Sequence, residues 1–154
     1  MDNKRKHMKV NKIIVAVSLE PETEKPLMKL KDMDIDVNCE IHLVHVVPVI
    51  LYARGMSLSV LTYPLEEERP SIQEAILAKL SSVKNQILPH HGKVKFKCLF
   101  DANEKAAFTD YVANEKADLV IVATRGKHGL TNIFDSSFAQ HQLKYSPANV
   151  LVLR

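Results

Sequence analysis

Apolar positions fall along the chain in two alternating rhythms. Ile13-Ile14-Val15-Ala16-Val17 is a continuous, mostly β-branched run, the pattern of a strand covered on both faces. Ile41 to Val47 is a second such run, closed by Pro48, and Leu119 to Ala123 is a third. Val94 to Phe100 instead alternates, with Val94, Phe96, Cys98 and Phe100 set against Lys95 and Lys97, which predicts a half-exposed strand at or near a sheet edge. Val150 to Leu153 predicts a last strand. Between these runs the spacing becomes helical. Glu22 to Lys31 reads as a short helix. Ile72, Ala75, Ile76, Leu80, Val83 and Ile87 mark a long one over 72–88, with Ser71 and Glu74 as a capping box. Asn103 caps a third, with the stripe Ala107, Phe108, Tyr111 and Val112. Phe138, Gln142 and Tyr145 mark a fourth, ended by Ser146-Pro147. Strands alternating with helices predict right-handed crossovers and an open, largely parallel, Rossmann-like α/β sheet in a single domain.

Two segments stand apart from this rhythm. Residues 49–70 form a long connection, and Ile50, Leu51, Tyr52, Leu58, Leu61, Tyr63 and Leu65 are too apolar to be left in water. Such a segment is either a lid or binding element near the ligand crevice or a cover packed flat on its own domain or a second subunit. Asp118 to Ser137 passes from an apolar run through a loop bearing Gly126 and Gly129 to the short polar cluster Asp135-Ser136-Ser137. A strand, a glycine-bearing loop and a helix start, in that order, present backbone N–H groups to an anion. Ligands of parallel sheets sit beyond the carboxyl ends of the strands, which here carry Ser18 and the Ala123–Gly126 turn.

Composition narrows the classes. The chain has 154 residues, 46% of them hydrophobic and 25% charged, enough for one full core. A net charge of +3 is too small to imply a polyanionic partner, so nucleic acid is not expected. Residues 1–9 carry Lys4, Arg5, Lys6, His7 and Lys9 without interleaved aromatics and read as a flexible basic tail ahead of a domain spanning 10–154. No apolar run is long enough to span a bilayer, and the first residues lack the apolar segment of a secretory signal, so a cytoplasmic protein with no membrane partner is expected. Cys39 and Cys98 are far apart and flanked by strand residues, which suits reduced thiols acting as small apolar fillers.

The histidines invite a metal reading that spacing does not support. His42 and His45 have opposite parity on one strand and cannot meet at one ion. His90-His91 follows the long helix with no third ligand nearby, and a helix C-terminal cap is the expected role. No metal site and no catalytic residue is expected. The glycine loop lacks the Lys-Ser/Thr of a P-loop and has Asp135 as its one carboxylate.

Ile14 to Ser18, His42 to Val47, and the tail from Val122 to Leu153 together resemble the universal stress protein family over nearly the whole chain. The tail carries the resemblance most specifically: a glycine motif, a short helix, a proline and a terminal apolar strand. The resemblance implies five parallel strands in the order 3-2-1-4-5 with helices on both faces. It also implies dimers formed by antiparallel pairing of the last strands, here Asn149 to Leu153. Nucleotide-binding members use G-x2-G-x9-G-[ST], which falls on Ala123, Gly126, Ser136 and Ser137, so two of three glycines are replaced. The family's opening strand usually ends in an aspartate that holds the nucleotide near its ribose, and here Ser18 stands there. By the same resemblance Val46 contacts adenine through its backbone, Ser137 keeps the hydroxyl for a phosphate, and Phe138 follows it. Arg125, with Lys127 and His128, keeps the loop cationic. The cofactor implied is ATP or another adenine nucleotide.

Two functions follow. The first is a homodimeric stress-response or regulatory module with a degenerate nucleotide site, acting through contacts with an unidentified protein partner. The second is an ATP-binding regulator that holds phosphates on the loop Ala123–Ser137. An enzyme is not expected.

Overall fold

The computed structural model describes residues 9–53, 60–124 and 137–154. The basic tail up to Met8, and the site residues Arg125, Gly126 and Ser136 expected from the sequence, lie outside the described residues.

Five strands form one sheet: β1 (Lys12–Ala16), β2 (Glu40–Pro48), β5 (Val94–Asp101), β6 (Leu119–Ala123) and β7 (Asn149–Leu153). Two more, β3 (Ile50–Ala53) and β4 (Val60–Tyr63), pair among the described residues only with each other, as an antiparallel ribbon. The main sheet runs β5-β2-β1-β6-β7 and every neighbouring pair is parallel. Counted along the sheet-forming strands alone, this is the expected order 3-2-1-4-5, and the alternating strand β5 lies at an edge.

Helices cover both faces because the central strands are apolar at both parities. Ile13, Val15 and Val17 join Ile41, Leu43 and Ile121 on one side. There they meet Leu27 of α1 (Pro21–Leu27), Leu30 of the 3-10 turn Met28–Asp32, and Leu80, Val83 and Ile87 of α2 (Arg69–Ile87). Ile14, Val44, Val46, Val120 and Val122 face the other side. They pack on Phe108 and Val112 of α3 (Glu104–Glu115) and Ala139 of α4 (Ser137–Tyr145). Cys39 and Cys98 are both buried free thiols, and burial raises both above the usual thiol range.

Local expectations were met unevenly. Asn103 caps α3 as its position suggests, its side chain accepting from Ala106 N at 3.2 Å. The Ser71–Glu74 capping box does not form. The helix starts earlier, at Arg69, because Pro70 fits its first turn, and the Ser71 hydroxyl donates to Glu68 O at 2.9 Å. His91 does not cap α2. It is buried, and its Nε2 donates to Cys39 O at 2.7 Å, pinning the loop before β5 to the entry of β2. On α4 Ala139 and Gln142 are buried, while Tyr145 is exposed. Residues 49–70 are not one long loop, since they carry the ribbon. Among the described residues no helix is long and apolar enough to cross a membrane.

Candidate functional site

A cavity of about 580 Å³ opens beyond the carboxyl ends of β1, β2 and β6. It lies where the sheet reverses its winding, since β1 has β2 on one side and β6 on the other. Of the residues marked from the sequence, Ser18, Val46, Ala123, Ser137 and Phe138 all line it. They come from three strands and a helix, spread over most of the chain, and the parallel topology alone gathers them. Ser137 is the first described residue of α4 and lies at the cavity wall.

Two anchors hold the far wall. Thr124 N donates to Leu153 O at 2.9 Å, which fixes the chain as it leaves β6. Gln142, fully buried, donates from Nε2 to Lys105 O at 3.3 Å, and the Thr109 hydroxyl lies 3.2 Å from its Oε1. These bonds tie α4 to α3 and so set where Ser137 stands.

The near wall is more polar than the sequence suggested. The Thr23 hydroxyl donates to Glu20 O at 2.8 Å. Its oxygen therefore accepts from the Ser18 hydroxyl, 2.5 Å away. Glu20 N in turn donates to Ser18 Oγ at 3.3 Å. The Ser18 proton is thus committed within the turn, and only lone-pair capacity is left for a ligand. Between them Leu19 adopts φ 60°, a left-handed conformation costly for a residue with a Cβ. That twist turns the chain sharply off β1 and brings Glu20 and Thr23 to the cavity beside Ser18.

His45 also lines the cavity, and its Nδ1 donates to Val17 O at 2.7 Å. The carbonyl accepts only, so Nδ1 carries a proton and a neutral ring keeps its lone pair on Nε2. Glu20, Thr23 and His45 were missed as site residues. For Glu20 a signal existed, a carboxylate two positions beyond Ser18. For Thr23 and His45 none did, because their roles depend on the Leu19 turn and on the neighbouring strand.

A second polar cluster sits at the opposite, amino ends of the strands. His42 is 1% exposed and donates from Nε2 to Glu40 Oε1 at 2.7 Å. Its Nδ1 lies 2.9 Å from the Tyr111 hydroxyl. Lys12 Nζ reaches Glu115 Oε2 at 2.9 Å and Glu40 Oε1 at 3.3 Å, and Lys95 Nζ reaches Glu40 Oε2 at 3.1 Å. Glu40, His42 and Glu115 present ligand-type atoms within 4.8 Å of one another. The Lys12 ammonium already occupies the place a cation would take, so the group is an ion-pair network rather than a metal centre. His42 and then Lys95 hold the Glu40 carboxyl down at about 2. Lys12 likewise holds Glu115 low and is itself raised by Glu115, while burial pushes Tyr111 up to about 12.

A depressed carboxylate contributes stability that is present above its unfolded value and lost as pH falls through its folded one. Stability should therefore decline between the ordinary 4.5 and about 2 as Glu40 is protonated. Its side chain is 31% exposed, so screening reduces the effect to about 1–2 kcal/mol. Urea unfolding at a series of pH values in this window checks it. Glu40→Gln should flatten the slope, and an unchanged slope would show the network to be idle.

A sequence model of the universal stress protein family matches residues 9–154. The chain belongs to the universal stress protein family. It is 27% identical over 132 residues to universal stress protein A homolog 2 of Coxiella burnetii, covering 82% of this chain and 83% of that protein. A universal stress protein solved in complex with cAMP superposes with a TM-score of 0.62 at 14% identity, over 94% of this chain and 97% of that one. One from Archaeoglobus fulgidus in complex with dAMP gives 0.59 at 15% identity, over 96% and 100%. At such identities these structures establish the shared fold. Ser18 and Ala123, which the resemblance set against an aspartate and the first motif glycine, both line the cavity.

Proposed function

We propose that this chain is a homodimeric stress-response regulatory module that acts through protein contacts and takes an adenine nucleotide weakly in the cavity at Ser18. One observation carries the reading: the cavity is open, at about 580 Å³ within the range of small-molecule sites, yet its acceptor wall is altered. Structural neighbours solved with cAMP and dAMP support an adenine nucleotide as the ligand class. In this reading the Val46 backbone meets the base, and Ser137 at the start of α4 meets a phosphate. Ser18 supplies no charge, and Glu20 provides a carboxylate for the ribose hydroxyls from two residues further on. Arg125 belongs to the cationic loop that favours the phosphates. No catalytic role is assigned to any of these groups, and the site of action is taken to be the cytoplasm.

Calorimetry with AMP, and with ATP and magnesium, should give dissociation constants of roughly 0.1–1 mM, as expected from losing one charged hydrogen bond and some backbone fit from a micromolar site. A constant of a few micromolar for ATP would overturn the weak-site reading. It would favour the second function, an ATP-binding regulator holding phosphates on the loop Ala123–Ser137. The open cavity and the Ser137 hydroxyl at its wall are the observations on that side.

The dimer is proposed through β7. That strand is a sheet edge, bonded on one side to β6, and it carries no proline or lysine to deter another strand. Val152→Lys should weaken self-association at this edge by at least tenfold while the far-ultraviolet spectrum stays unchanged. Sedimentation over a concentration series reads the effect, and identical masses for both proteins throughout would remove β7 from the interface.

A further inference from the structure

We propose that one face of the β3–β4 ribbon is a self-association surface that packs against the same face of a second copy of this chain. The register places Ile50 opposite Tyr63 and Tyr52 opposite Leu61. Residues directly opposite in an antiparallel pair share a face, and residues two apart on a strand do so as well. Ile50, Tyr52, Leu61 and Tyr63 therefore form a single four-residue face without a charge. All four remain open, at 47%, 54%, 44% and 59% exposure. Among the described residues the sheet they belong to has two strands, and these exposures leave the face largely uncovered by the protein's own body.

A ribbon of two strands is marginal in water unless a further strand, helix or face covers it. A cover would steady it, and the partner present whenever the chain is folded is another copy. The four side chains leave on the order of 500 Å² open, the upper end of what the largest patch on a monomer carries. Two such faces together reach the roughly 1,000 Å² that a specific interface needs. Packing like on like is also the geometry of a two-fold dimer, in which each face is its own complement. An anionic lipid surface is a poor alternative occupant. Glu66, Glu67 and Glu68 follow the ribbon directly, all exposed, and place three negative charges beside it.

This surface is separate from the β7 edge. The ribbon continues from β2, whose outer neighbour β5 closes the sheet on the side away from β7. A chain using both surfaces assembles beyond a dimer, so the two can be removed one at a time.

The experiment is sedimentation at tens of micromolar protein, on the natural chain and on Val152→Lys, each with and without the double change Tyr52→Ser and Leu61→Glu. The expected result is that the double change halves the mass in at least the Val152→Lys background, from dimer to monomer. A monomeric Val152→Lys protein with the ribbon intact would overturn the proposal, as would a mass insensitive to the double change. Because these side chains lie outside the core, circular dichroism should show the fold retained. Should the double variant misfold, amide exchange of residues 60–63 in the natural chain decides. Protection that rises with protein concentration supports the proposal, and protection independent of concentration overturns it. Flotation with phosphatidylcholine–phosphatidylglycerol vesicles is run in parallel. Binding that depends on Tyr52 and Leu61, with no change in mass, would assign the face to a membrane and reject self-association.

Discussion

Replacing Phe108 by alanine is expected to destabilise the protein by about 3–5 kcal/mol, the usual cost of emptying a buried aromatic site. Phe108 is completely buried on α3. It packs with Ile14, Val44, Val120 and Val122 of three central strands and meets Phe138 of α4 edge to face, with ring centroids 5.3 Å apart. One ring thus joins the sheet to both helices of that face. The same ring lines the ligand cavity, so truncation should also widen it. Urea unfolding checks the energy. A loss below about 1 kcal/mol would show that α3 and α4 are held by other contacts. A domain of this size has only about 5–15 kcal/mol in all, so the variant should unfold at a markedly lower temperature.

The second large effect is a gain. Ser18→Asp is expected to tighten AMP binding by about tenfold, since a hydrogen bond to a charged acceptor is worth about 1.5–3 kcal/mol. The lower end applies, because the new carboxylate stands close to Glu20 at the same cavity. The Thr23 hydroxyl supports it only by turning its proton from Glu20 O to the new carboxylate. Ser18→Ala is the control. It removes the hydroxyl that joins Thr23 and the Glu20 N–H, so it loosens the turn without adding charge. Calorimetry with AMP reads both variants. Equal affinities for the aspartate variant and the natural chain would mean that Ser18 does not face the ribose. The further change Ser136→Gly should add to the gain by restoring a motif glycine.

His42 illustrates why the amino-terminal polar cluster was hard to read. Parity placed it and His45 on different sides of β2, and they do find different partners, Glu40 with Tyr111 for one and Val17 O for the other. Parity does not reveal what waits on each side. Tyr111 and Glu115 come from α3, and Lys12 from another strand, so the network exists only once three elements are packed.

The ribbon shows a different limit. Ile50, Tyr52, Leu61 and Tyr63 were legible as too apolar for water, yet all four stand exposed on the chain by itself. A cover for the domain and a surface for another chain have the same composition, because both bury apolar area. Only the pairing register separates them, by putting these four on one open face.

What the sequence by itself determined was the sheet and its order of layers. Apolar residues at both parities in Ile13–Val17 and Leu119–Ala123 require cover on both faces, and the alternation of Val94–Phe100 permits cover on one. Hydration of side chains enforces both demands, and neither needs a partner to be named. The strand order came with the family resemblance rather than from periodicity. What only the tertiary structure decided was every contact between residues distant in the chain. It set the Ser18 proton on Thr23, fixed the His45 tautomer on Val17 and brought Glu20 to the cavity. It also turned His91 from a helix cap into a clasp on Cys39. Hydrogen bonds act over about 3 Å and depend on direction, so they are chosen by the final placement of backbone turns such as Leu19. Periodic burial is an average over many residues and survives in the sequence; a single directed bond does not.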